Sequence, residues 1–163
     1  MAKDKGPRPL LGLFAGVAAG LIASAAMAAF QAQAQKLLPE DGGGEEDPAT
    51  VKAADKVSEA AIDAPVPEPW REQSGQLVHY LSGAVIGGIY GVITEYRPEA
   101  SAGFGSAYGV ATSVLLDETA VPAAGLADPP QDTPLAEHAY GAASHLLYGV
   151  VLEGVRWLIA GKR

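Results

Sequence analysis

The sequence predicts an all-α membrane protein: four transmembrane helices packed through faces of small residues, plus a short amphipathic helix in the first outer loop. Three observations predict it. Small residues recur at four-residue spacing in every apolar segment: Gly12-Gly16-Gly20-Ser24, Gly83-Gly87-Gly91, Ser101-Gly105-Gly109-Ser113 and Gly141-His145-Gly149. Four residues is slightly more than one helical turn, so each set lines one face and admits a neighbouring backbone. In water each such glycine costs a helix about 1 kcal/mol relative to alanine, whereas in lipid close approach is the usual packing surface. Second, 48% of the chain is hydrophobic but only 7% aromatic, so its apolar content suits tight helix contacts better than a bulky soluble core. Third, the charges are segregated along the chain, as described next.

Ten of the nineteen acids fall between Glu40 and Glu72 and five more between Asp117 and Glu137. Lys3, Lys5 and Arg8 precede the first apolar segment, Arg97 follows the second, and Arg156, Lys162 and Arg163 close the chain. The positive-inside rule then places both termini and the Arg97 link in the cytoplasm. A net charge of −8 excludes nucleic acid, which asks for a basic face. With no cysteine, neither disulfides nor thiolate chemistry enters.

The first span, about 10–30, carries no charge and is long enough for a ~30 Å hydrocarbon core. Residues 1–34 also fit a cleaved leader, with small-residue sites at Ala26-Met27-Ala28 and Ala32-Gln33-Ala34. The long apolar run and its glycine face favour retention. An outer loop over 31–76 follows. Its acidic, glycine-rich part (40–48) reads as a flexible linker. In Ala49–Ile62, Val51, Ala54, Val57, Ala61 and Ile62 recur near helical spacing opposite Lys52, Asp55, Lys56 and Glu59. That pattern predicts an amphipathic helix, lying on the membrane or against the bundle.

The second span, about 77–95, begins near His79 and ends at Glu95. The third, about 102–118, reaches Asp117-Glu118 before a further apolar run that contains Pro122. Those carboxylates either end the helix or mark a break in a longer one, whose exposed carbonyls could bind cations. The fourth, about 139–160, contains His145, Glu153 and Arg156. Trp70 and Tyr80 suit the outer interface, and Tyr96 and Trp157 the inner one. Tyr90-Gly91-Val92-Ile93-Thr94-Glu95 and Tyr148-Gly149-Val150-Val151-Leu152-Glu153 echo each other, and Ser24 and Ser113 end the other two ridges. Two copies of a helix pair in one orientation would produce this pattern.

The chain resembles the YagU-like family of uncharacterised bacterial inner-membrane proteins. The resemblance rests on PATVKAADKV (48–57), HYLSGAVIGGIYG (79–91), LLDETAVPAAGLADPP (115–130) and SHLLYGVVLEGVR (144–156). It implies an integral inner-membrane protein with several helices and brings no catalytic residues.

Ionisable groups inside a span are costly and therefore candidates for function. His145 is the sharpest, on a ridge that faces another helix and two turns from Glu153. It reads as a proton relay or as a neutral imidazole in an interhelical hydrogen bond. Glu95 and Glu153 are expected to pair with Arg97 and Arg156. His79, Asp117, Glu118, Glu137 and His138 gather at the outer face; these are metal-ligand types, but no tight spacing motif links them, and no metal site is assigned. Gly42 to Gly44 lie among acids, so no phosphate cradle is present, and Ser144-His145 are adjacent on a helix and point about 100° apart, so they form no nucleophile–base pair. The sequence therefore assigns no enzyme activity and no cofactor. Two functions remain: a structural or accessory membrane protein that packs with itself or with partner helices, and a small proton- or ion-linked transporter or channel acting as an oligomer. The ridges Gly12, Gly16, Gly20, Gly83, Gly87, Gly91, Gly105, Gly109, Gly141 and Gly149 carry the first; His145, Glu153, Glu95, Asp117 and Glu118 carry the second.

Overall fold

A computed structural model describes residues 6–36 and 47–162. Residues 40–46 of the acidic linker, Lys3, Lys5 and Arg163 lie outside the described residues. The order is α1 (Pro9–Gln35), α2 (Ala49–Ile62), α3 (Arg71–Tyr96), α4 (Ser106–Leu115), a π-helical turn (Leu116–Ala120), α5 (Val121–Ala123) and α6 (Leu135–Ala160). No strand occurs among the described residues.

Proline opens α1, where its missing N–H is one that no helical partner would use. Among the described residues, only α1 and the stretch Glu68–Tyr96 that ends in α3 are long and apolar enough to cross a membrane, with mean hydropathies of 2.1 and 1.5. All four long segments extend or shift relative to the sequence expectation. The third changes most: Ser101 ends a short 3-10 turn, and Gly105 precedes α4 at φ +83, a left-handed backbone that suits glycine. The helix neither stops nor breaks at Asp117-Glu118 but widens there into one π turn and continues to Ala123.

α1 packs antiparallel to α3 with glycine against glycine. A Cβ on Gly12 would collide with the Gly91 carbonyl, one on Gly16 with that of Gly87, and one on Gly20 with that of Gly83. α4 packs antiparallel to α6 in the same manner, Gly105 against the Gly149 carbonyl and Gly109 against that of His145. The match continues at the next step. A Cβ on Gly83 would meet Ser24 Oγ, and one on Gly141 would meet Asp117 Oδ2. The two helix pairs thus repeat one contact scheme, Gly12-Gly16-Ser24 answering Gly105-Gly109-Asp117 and Gly83-Gly87-Gly91 answering Gly141-His145-Gly149. His145 stands where the first pair has Gly87, and Asp117 where it has Ser24.

The pairs are joined by α1 against α6 and by tyrosines. Ala19, Ala23 and Met27 of α1 form one buried cluster with Tyr90, Tyr148 and Leu152. Tyr148 Oη donates to the Gly83 carbonyl (2.6 Å) and Tyr108 Oη to that of Ile86 (2.9 Å), each crossing to α3. Tyr90 and Tyr108 rings lie 4.6 Å apart. Small residues close each pair, and phenols fill the space between pairs. α2 covers the start of α3 through Val51 and Ala54, with Gly75 admitting Val51; Val57 and Ile62 stay exposed. Its amphipathic face is therefore spent on the bundle only in part.

Candidate functional site

The polar side chains collect at two ends of the bundle. At the end where α1 starts and α3 and α6 finish, Arg156 forks onto Glu153, Nε to Oε2 at 2.6 Å and Nη2 to Oε1 at 2.8 Å. Tyr90 Oη also donates to Glu153 Oε2, at 2.7 Å. Arg156 is 1% exposed and Glu153 5%, so this is a desolvated, bidentate pair of the strong kind. The expected Glu153–Arg156 pair is present. Glu95, by contrast, meets Arg8 and not Arg97: its Oε2 accepts from the Arg8 backbone N–H (2.7 Å) and its Oε1 lies 3.4 Å from Arg8 Nη2. Arg8 Nη2 also donates to the Ala160 carbonyl at 2.7 Å, which ties the start of α1 to the end of α6. Among the described residues, two carboxylates and two guanidinium groups meet in this cluster.

At the opposite end, the π turn aims two consecutive carboxylates at α6. Asp117 Oδ2 lies 3.0 Å from His145 Nδ1 and accepts from Ser113 Oγ at 2.9 Å. Glu118 Oε1 lies 2.7 Å from His138 Nδ1. His138 and His145 are seven residues apart and share one face of α6, so the four side chains form a clamp across α4 and α6. His145 Nδ1 also approaches the Gly141 carbonyl at 3.2 Å, which makes Nδ1 the protonated nitrogen and leaves Nε2 without a hydrogen-bond partner among the described residues. His138 is raised above the usual histidine range. The hydrogen bond that its ring N–H donates to the Glu118 carboxylate is the largest cause, burial opposes it, and the Pro130 carbonyl adds to it.

The outer group expected from sequence divides. Asp117 with His145 and Glu118 with His138 form the clamp, whereas His79 turns to the Ser24 carbonyl (3.2 Å) and Glu137 is exposed. No cluster of three or more His, Cys, Asp or Glu among the described residues is placed to hold a metal ion. His145 and Glu153 share a helix but serve opposite ends. The pairing of Arg8, one of three basic residues before the first apolar run, and the burial of three core phenols were not evident in the sequence. Tyr90, Tyr108 and Tyr148 each precede a glycine, which was the available signal for all three.

Residues 66–154 match the model of a family described as proteins of unknown function, DUF1440. That is more than half of the chain, and the protein belongs to this family. The match spans α3 through most of α6, hence both histidines of the clamp and Glu95 and Glu153, but not α1 or Arg156. No curated protein and no solved structure matches the chain.

Proposed function

We propose that the protein is a YagU-like, four-span integral protein of a bacterial inner membrane, with both termini cytoplasmic and a structural or accessory role. It packs its own helices through small-residue faces and associates with a second copy or with partner helices. The observation that carries this reading is the direction in which side chains face. Leu13, Phe14, Leu81, Val85, Ile89, Val110 and Val114 lie exposed along the rods, while Tyr90, Glu95, Glu153 and Arg156 are buried. Water would leave a large apolar surface uncovered, whereas lipid covers it. Trp70 near one end and Trp157 with Tyr96 near the other are exposed, which suits the two interfaces. The balanced ionic cluster is what a bundle core in lipid requires, since an unpaired charge there is costly.

The test is a topology map. Reporters active only outside or only inside, fused after Ala60, Glu99, Asp128 and Arg163, should read out, in, out, in. Any other alternation removes a span and withdraws the reading. A second reading, a proton- or ion-linked transporter acting as an oligomer, is favoured by one observation: His145 Nε2 is open while Asp117 fixes Nδ1. It loses its basis if His145→Leu and Asp117→Asn leave ion flux in vesicles unchanged while Gly87→Leu and Gly149→Leu abolish assembly.

A further inference from the structure

His138 is held by two groups that can only accept. Nδ1 lies 2.7 Å from the Glu118 carboxylate and Nε2 lies 3.0 Å from the Pro130 carbonyl. A neutral imidazole has one N–H and can satisfy one of them, leaving a nitrogen lone pair against an oxygen lone pair at the other. The imidazolium satisfies both. Its two partners come from different parts of the chain. Glu118 belongs to the π turn that extends α4, and Pro130 to the connection between α5 and α6. One protonated ring therefore pins residues 124–134 and α4 to the first turns of α6. We infer that His138, Glu118 and the Pro130 carbonyl form a proton-binding site, whose occupancy holds the α5–α6 connection on the bundle.

The opposing effects can be weighed. His138 lies near the positive end of α6, which disfavours a cation. A direct hydrogen bond to an ionised carboxylate is stronger than this end effect, so the carboxylate prevails. The Glu118 charge and the Pro130 carbonyl act in the same direction. The ionisable groups are Asp117 and Glu118 on the π turn, Asp128 and Asp132 on the connection, and Glu137 on α6 itself. On the other side of the balance stand Lys56 of α2, whose Nζ is bound to the Ala124 carbonyl, and Lys36 at the end of α1. His79 of α3 is engaged by the Ser24 carbonyl, and His145 by Asp117. The middle of the connection is otherwise held by short local bonds, Asp132 N–H to the Pro129 carbonyl at 2.9 Å and Thr133 Oγ1 to the same carbonyl at 3.2 Å, while its ends are tied by Leu126 N–H to the Val121 carbonyl (3.1 Å), Lys56 Nζ to the Ala124 carbonyl and Glu137 N–H to the Pro134 carbonyl (3.0 Å).

The sign follows from the raised position of His138. Its contribution to pinning is fully present below the ordinary histidine value of about 6.5 and is lost as pH rises through the raised value. The inference does not rest on the proposed structural role, because His138 lies outside the expected span. The experiment uses the full chain with 15N-labelled histidine, whose three imidazoles are assigned by His79→Gln, His138→Gln and His145→Gln. Long-range proton–nitrogen spectra across a pH series should keep His138 in the imidazolium pattern above the ordinary value, and Glu118→Gln should lower its titration. Amide exchange over 124–134, corrected for intrinsic rates, should rise through the same titration, and that rise should vanish in His138→Gln. A His138 that titrates at or below the ordinary value, or that Glu118→Gln does not move, overturns the site. Exchange with the same pH dependence in the unaltered chain and in His138→Gln overturns the pinning.

Discussion

Glu153→Gln is the sharpest single perturbation of the fold. The substitution keeps shape and removes one charge. In the native bundle Glu153 accepts three hydrogen bonds, from Arg156 Nε at 2.6 Å, Arg156 Nη2 at 2.8 Å and Tyr90 Oη at 2.7 Å. A glutamine offers one carbonyl oxygen and turns its NH2 toward a donor, so at least one Arg156 N–H loses its acceptor. Arg156 is 1% exposed and water cannot replace the carboxylate. Breaking a buried pair from one side costs about 3–5 kcal/mol. Reversible unfolding in mixed micelles, followed by tryptophan fluorescence, reads the change. Glu153→Gln with Arg156→Met should recover most of it, because the double change leaves no unpaired charge in the core. A single variant within about 1 kcal/mol of the unaltered chain would refute the reasoning, since that is the size of an ordinary substitution. So would a double variant as unstable as the single one.

The other predictions concern contacts. Gly87→Ala places a methyl 2.8 Å from the Gly20 Cα, where only backbone can move, and should destabilise α1–α3 packing by about 1–3 kcal/mol. Gly88→Ala meets only the ends of Val17 and Leu13 at 3.0 and 3.1 Å, and should be neutral or gain up to about 1 kcal/mol from helix propensity. If the same unfolding titration reverses that order, the glycine contacts are not the ones described. Tyr148→Phe removes the 2.6 Å bond to the Gly83 carbonyl, and the loss should be about 0.6 kcal/mol, the mean for interhelical bonds in lipid. Asp117→Asn should leave the fold intact while moving the His145 ring-nitrogen resonances in the nitrogen spectra, because Asp117 Oδ2 lies 3.0 Å from Nδ1; unmoved resonances would separate the two residues in solution.

Much of the architecture was legible in the chain because helix periodicity is local. Glycines four apart must share a face, so the ridges of α1, α3 and α6 could be read directly, and the Glu153–Arg156 pair followed from three-residue spacing. The third ridge was read one step too far. Gly103, Phe104 and Gly105 adopt positive φ, and Ser101 falls outside the helix, a choice made by the tight turn that brings Gly105 against Gly149. The chain alone left Asp117-Glu118 as an end or a break; the π turn is neither, and it appears because widening one turn lets both carboxylates reach histidines two turns apart on α6. Glu95 was expected beside Arg97, its near neighbour, but Arg97 follows the end of α3 and Arg8 arrives from a residue 87 positions away. The sequence by itself determined which residues form helices and which faces are narrow. Which charges meet was decided only in the tertiary structure, because ion pairing depends on where separate helices end in space, and no spacing along the chain encodes that.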